Sequence, residues 1–246
     1  MMSQRLYSLI VVFVLIMTAP AHAILESDLD FIVGSGSNSA SMLLDWNDGK
    51  SPLAWGYRWD GSKTAEDMLI DLVNTDTRLY SKFTDFSFGT FVTGIGYDRD
   101  DDGFGTTDGD VFSNGITNGP ANDSNISSDG DDSYVEGSNN GFWALYFNFT
   151  NPWDPSGSNP SSTNGNPFES GTWHSSGFGA SDTILQNGTW AGLSFAPGFD
   201  STSPSDGNAA QSSGQSNGSI PEPSTVLFLT GALGLALSIR RQKTHE

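Results

Sequence analysis

Through the middle of the chain, apolar and polar positions alternate in short runs, and Gly, Asn, Asp or Pro closes nearly every one. "SMLLDWNDG", "LAWGYRWDG", "FGTFVTGIGYD", "GFWALYFNF" and "GTWAGLSFAPGF" are of this kind, rich in aromatic and β-branched residues. Such runs with turn residues at their ends predict strands. One stretch changes period. In "TAEDMLIDLVN" the residues Ala65, Met68, Leu69, Leu72 and Val73 recur at helical spacing, and Thr64 with Asp67 forms a capping-box-like start. The pattern therefore predicts a mainly β domain, an antiparallel sheet or sandwich, with one amphipathic helix over about 63–74.

The two ends follow different patterns. After Arg5, the apolar core Leu6 to Met17 and the A-x-A triplet Ala21-His22-Ala23 predict a signal peptide over 1–23, cut by a signal peptidase so that the mature chain starts at Ile24. Near the other end, Val226 to Ile239 is uncharged and mostly apolar. As a helix it would span roughly 21 Å, short of the ~30 Å hydrocarbon core and marginal as a lasting anchor. Arg240, Arg241 and Lys243 follow at once and favour a cytoplasmic location for that end. Ahead of the run, Pro221-Glu222-Pro223 holds the backbone extended where a processing enzyme can grip it.

Pro221, Glu222 and Pro223, a membrane helix over 224–239 and the Arg240-Arg241 cluster, in that order, resemble the PEP-CTERM sorting signal of Gram-negative bacteria. The resemblance implies that 221–246 is recognised by an exosortase after export through the inner membrane and transient anchoring. The mature protein then reaches the cell surface or the exopolysaccharide matrix. That tail occurs on proteins of unrelated function, so it implies an address and not an activity. Between Trp55 and Phe195 the strand–helix–strand order also looks like an exported domain found on PEP-CTERM proteins. More faintly it resembles the C-terminal domain of transcobalamin-like proteins, which implies a corrinoid-like small ligand without assigning it any residue here.

Composition sets the boundary of the domain. From Asp200 to Ser219 the chain has no aromatic or large aliphatic residue, so 200–220 reads as a flexible Gly/Ser-rich linker and 24–199 as one exported β-rich domain. Gly214-Gln215-Ser216-Asn217-Gly218 has the spacing of a nucleophile elbow but lacks the strand and helix that motif needs. Of 29 acidic and 10 basic side chains, two and four lie in the leader and tail, leaving 27 against 6 and a net charge near −21. Long-range repulsion from phosphate excludes nucleic acid as a partner and leaves cations, neutral glycans, exopolysaccharide among them, and positively charged surfaces. With no cysteine, the domain has neither disulfides nor thiol chemistry.

The densest chemistry lies in "DRDDDGFGTTDGD". Asp98, Asp100 and Asp102 alternate ahead of Gly103, as in the first half of a D-x-D-x-D-G calcium loop, where carboxylates spaced by two converge and glycine permits the turn. The twelfth position is Gly109 instead of a bidentate glutamate, and the flanking Asp108 and Asp110 are expected to substitute. The predicted metal set is thus Asp98, Asp100, Asp102, Asp108 and Asp110 around Ca2+, against a bare acidic turn. A second acidic patch, Asp129, Asp131, Asp132 and Glu136, has no ligand order and reads as solvated loop.

Catalysis is bounded by subtraction. His174 is the sole histidine of the mature domain, which excludes a multi-histidine zinc site, and nothing marks a serine partner for it. A glycosidase-type carboxylate pair stays open, though Trp55, Trp59, Trp143, Trp173 and Trp190 sit where core packing is the commoner fate. The expectation is a non-enzymatic, calcium-stabilised, adhesive surface or biofilm-matrix protein. Its alternatives are a small-ligand module, which would need a concave apolar pocket, and a secreted hydrolase.

Overall fold

The computed structural model describes residues 26–86, 89–148, 173–200 and 202–211. The predicted leader with Ala21 and Ala23, and the predicted sorting tail with Pro221, Glu222, Pro223, Arg240 and Arg241, lie outside them. Among the described residues no helix is long and apolar enough to cross a membrane.

Eleven strands and one α-helix are described: β1 (Ile32–Gly34), β2 (Asn38–Asp45), β3 (Leu53–Trp59), α1 (Ala65–Thr75), β4 (Leu79–Phe86), β5 (Gly89–Tyr97), β6 (Ile116–Asn118), β7 (Ser133–Glu136), β8 (Gly141–Phe147), β9 (His174–Ser175), β10 (Thr189–Pro197) and β11 (Asn208–Ala209). They form two sheets. The first runs β1-β3-β2-β10-β8-β9, with β11 also paired to β3, and the second runs β6-β4-β5-β7. The protein is mainly β as expected, but both sheets are mixed instead of antiparallel. β2 lies parallel to β10, β1 and β11 lie parallel to β3, and β6 lies parallel to β4. For the β2–β10 pair the reason is burial on both faces. β10 is buried at eight of nine positions, and such central strands take continuous apolar runs whose direction no hairpin dictates.

The helix matches its sequence pattern closely. Ala65, Met68, Leu69, Leu72 and Val73 are its buried residues, and the Thr64 hydroxyl accepts from the Asp67 N–H while the Asp67 carboxylate accepts from the Thr64 N–H. That stripe joins both sheets in one hydrophobic cluster with Trp46, Trp55, Tyr97, Trp143 and Phe147. Two indole N–H groups tie the sheets directly: Trp46 donates to the Ile95 carbonyl at 2.9 Å and Trp143 to the Val135 carbonyl at 3.2 Å. Trp55, Trp59, Trp143 and Trp190 are buried, as the packing reading expects.

Residues 202–211, whose composition predicts linker, belong to the fold. β11 pairs with Leu53 and Ala54, Ala210 is fully buried, and both the N–H and hydroxyl of Ser205 donate to Asp45 Oδ2 at 2.9 Å. Backbone and carboxylate partners hold this segment where large apolar side chains are lacking, so composition alone misses it.

Candidate metal centre

β5 ends at Tyr97, and the chain turns at once into the acidic loop. Asp98 is 4% exposed; its N–H donates to the Arg78 carbonyl at 2.9 Å, which pins the loop beneath the turn between α1 and β4. Its Oδ1 accepts from the Asp101 N–H at 2.6 Å and its Oδ2 from the Gly103 N–H at 3.0 Å. Asp101 and Gly103 take positive φ, 64° and 125°, so the loop curls tightly around the Asp98 carboxylate. Asp98, Asp100 and Asp102 each bring a carboxylate oxygen within 4.8 Å of the others. The charge of Asp100, ahead of burial and the charges of Asp129 and Asp98, pushes the Asp102 carboxyl above its ordinary range.

The structure divides the five predicted ligands. Asp108 and Asp110 form a separate group with Glu136 of β7, and that group already holds a cation. Lys82 Nζ lies 2.8 Å from Asp110 Oδ2 and 2.9 Å from Glu136 Oε1. Its side chain is 4% exposed and that of Glu136 0%. Register explains the reach. Lys82 pairs with Gly94 and Gly94 with Glu136, so the lysine crosses a row position without a side chain; a Cβ at Gly94 would fall 2.6 Å from the Tyr134 hydroxyl. Glu136 Oε2 also accepts from Tyr134 at 2.8 Å and from Asn125 Nδ2 at 2.9 Å, and the same amide reaches Asp110 Oδ2 at 3.1 Å. Burial, then the Glu136 charge, pushes the Tyr134 phenol up. Asp110 therefore faces an ammonium, and Asp108 gathers with Asp110 and Glu136 instead of completing the Asp98 loop.

Two members of the second acidic patch are not solvated. Asp132, the residue before β7, is 2% exposed, as is Glu136. Asp132 Oδ1 accepts from the Arg99 N–H at 2.9 Å, whereas its Oδ2 is buried with no hydrogen-bond partner. Burial, then the charges of Asp98, Asp129 and Asp100, pushes its carboxyl up to about 6 against the Arg99 hydrogen bond. Lys50 Nζ donates to the Asp132 carbonyl, and the Arg99 side chain donates to Ser133 Oγ at 2.8 Å and the Ser51 carbonyl at 3.0 Å. Sequence reading placed Asp132 and Glu136 in a solvated loop and passed over Lys82, whereas Asp132 and Glu136 are buried. The signal was present in the alternation of "SYVEG", where Tyr134 and Glu136 share a face.

The loop thus offers oxygen acceptors to a hard cation, whereas in the second cluster Asp110 and Glu136 already share the Lys82 ammonium. Elsewhere, a cleft of about 370 Å³ with mixed polar and apolar lining includes Val33, Tyr57, Trp59, Lys63 and Asp71. Its groups are committed to one another: Asp71 Oδ2 accepts from the Tyr57 hydroxyl at 2.5 Å and Lys63 Nζ at 3.0 Å. It is not the apolar pocket a corrinoid-like ligand would need. His174 lies in β9, paired to Phe147 of β8. Comparison with models of known protein families, with characterised proteins and with solved structures finds no match to this chain.

Proposed function

We propose that the chain is an exported, non-enzymatic surface or exopolysaccharide-matrix protein, sorted by an exosortase and adhesive in role, whose β domain binds calcium in the Asp98–Gly103 loop. Support for the address is the ordered tail of Pro221-Glu222-Pro223, apolar run and Arg240-Arg241. The observation that carries the chemistry is the Asp98 carboxylate gripping the N–H groups of Asp101 and Gly103 while Asp100 and Asp102 gather beside it. A loop already curled around its first ligand has little ordering left to do when an ion arrives.

Two experiments test this. Mass spectrometry of the surface form from cells with an exosortase is expected to place its end near Pro221 to Pro223, and retention of Arg240 and Lys243 would refute the sorting reading. In thermal melts, millimolar calcium is expected to raise the midpoint over chelator, because an ion that binds only the folded state adds about 2.7 kcal/mol at a hundredfold excess over Kd. For a domain of this size that is roughly 5–10 °C. Asp100→Ala with Asp102→Ala abolishes the rise. A response no larger than that to sodium chloride at matched ionic strength refutes calcium binding.

A further inference from the structure

We infer that Lys82 and Asp110 are the partners of an intramolecular isopeptide bond, with Glu136 as the catalytic residue that moves the protons, so that β4 becomes covalently joined to the loop ahead of β6. This modification site is independent of the calcium reading.

The observation is a lysine set between two carboxylates inside the fold. Lys82 Nζ lies 2.8 Å from Asp110 Oδ2 and 2.9 Å from Glu136 Oε1, and the side chains of Lys82 and Glu136 are 4% and 0% exposed. A nitrogen at hydrogen-bond distance from a carboxylate oxygen stands beside the carbon to which that oxygen is bonded, and groups held in this way react as parts of one molecule. Separate elements fix the three residues. Lys82 of β4 and Glu136 of β7 both pair with Gly94 of β5, and the Asp110 N–H donates to Thr106 Oγ1 at 3.0 Å. Tyr80 shares a face of β4 with Lys82, and its ring stacks on Phe104 at 4.0 Å, with Phe112 and Tyr134 in edge contact. This aromatic group adjoins the cluster through the Tyr134 hydroxyl, which donates to Glu136 Oε2 at 2.8 Å.

Burial makes the reaction feasible. It favours the neutral amine of Lys82, although the hydrogen bonds and charges of Asp110 and Glu136 hold the ammonium against loss of a proton to water. Transfer inside the cluster loses no proton to water; it replaces an ion pair by two neutral groups, the exchange that desolvation favours. Glu136 takes a proton from the ammonium and hands it to Asp110, whose neutral carboxyl is the form an amine can attack. The lone pair of Nζ then attacks Asp110 Cγ and the N–C bond forms. Asn125 Nδ2, 3.1 Å from Asp110 Oδ2 and 2.9 Å from Glu136 Oε2, donates to the oxygen on which charge builds. Glu136 carries a second proton from the nitrogen to the Asp110 hydroxyl, which leaves as water when the C–O bond breaks. Ammonium and carboxylate thus yield an amide and one water, Glu136 ends as the carboxylate it began as, and no oxidant or cofactor enters. A chain without cysteine gains from this link the constraint on its unfolded state that a disulfide supplies elsewhere.

The test is mass spectrometry of the purified full chain under denaturing conditions, before and after digestion with chymotrypsin, which cuts at aromatic residues. Wild type is expected to fall one water short of the mass its sequence and termini require, and to yield one branched species joining the peptides that carry Lys82 and Asp110. A wild-type chain of full mass overturns the proposal. So does a water lost without joined peptides, the mark of cyclisation at an Asp-Gly pair such as Asp108-Gly109. Loss of ammonia in place of water assigns the bond to an amide such as Asn125 and overturns the choice of Asp110. Glu136→Gln, with its fold checked by circular dichroism, is expected to form the link about a hundredfold more slowly or worse. If that variant folds and links as fast as wild type, the role of Glu136 is overturned; the wild-type mass decides the bond itself without any variant.

Discussion

Replacing Lys82 by methionine separates the two acidic clusters by their energetics. The ammonium lies 2.8 and 2.9 Å from two carboxylates, and the Glu136 side chain is wholly shielded from solvent. Desolvation of a buried ion costs several kcal/mol and roughly cancels its attractions, so the intact cluster adds little net stability. Removing one partner does not cancel. Lys82→Met leaves Glu136 buried with its Asn122, Asn125 and Tyr134 donors but no counter-ion, and is expected to cost about 3–5 kcal/mol, roughly 6–20 °C in melting midpoint. Adding Asp110→Asn and Glu136→Gln removes the stranded charges and is expected to recover most of that loss. Urea unfolding of the full chain, followed by tryptophan fluorescence in chelator, measures all three proteins. The pH dependence gives a second readout. Desolvation pulls the Lys82 pKa down, but hydrogen bonds and charges of Asp110 and Glu136 outweigh it and leave it raised above 10.5. A raised lysine contributes stability that is fully present below 10.5 and lost as pH climbs above it, so wild type and Lys82→Met converge only at strongly alkaline pH. A Lys82→Met cost under about 1 kcal/mol, the worth of a surface pair, would refute this account of the cluster.

Two further outcomes follow from buried or anchored carboxylates. Trp55 donates to Asp76 Oδ2 at 2.9 Å, within a site where Asp76 and Arg78 are nearly inaccessible. Trp55→Phe is expected to cost about 1.5–3 kcal/mol by urea unfolding, and a cost below about 0.5 kcal/mol refutes the role of that bond. Asp123 accepts from the backbone of Ser138, Asn139 and Asn140 and from the Asn139 amide; although burial opposes them, these donors hold its carboxyl down to about 2. Its contribution is therefore present above the ordinary value of 3.8 and lost as pH falls from 3.8 through 2. Asp123→Asn is expected to flatten that part of the acid melting profile, and parallel profiles for the two proteins would count against it.

What the sequence made legible tracks the physics of each signal. α1 could be read almost residue by residue because periodicity, cap and burial agree over eleven residues. The five long aromatic runs became β2, β3, β5, β8 and β10 for the same reason. β4 escaped because its ladder includes Lys82, Thr84 and Asp85, polar residues whose partners come from other elements. Segment 202–211 escaped because it is held by Asp45, Arg78 and the β3 backbone instead of by large apolar side chains of its own. The acidic loop was legible as a local motif. The assignment of Asp108 and Asp110 to it was not sustained, since which carboxylates meet is decided by the β4–β5–β7 register, which spacing along the chain does not encode.

The parallel pairing of β2 with β10 has a consequence for the order of events during synthesis. Ala40 lies beside Thr189, and Leu53 beside Asn208, so the centre and one edge of the larger sheet wait for the most distant part of the domain. Such pairings must first meet the entropy of closing very long loops, and domains dominated by them fold in milliseconds to seconds rather than microseconds. Until β10 has been made, one edge of β2 has no native neighbour and the larger sheet cannot close. A polypeptide that delays its own closure in this way stays threadable for longer, which is what the proposed export through a translocation channel requires of it.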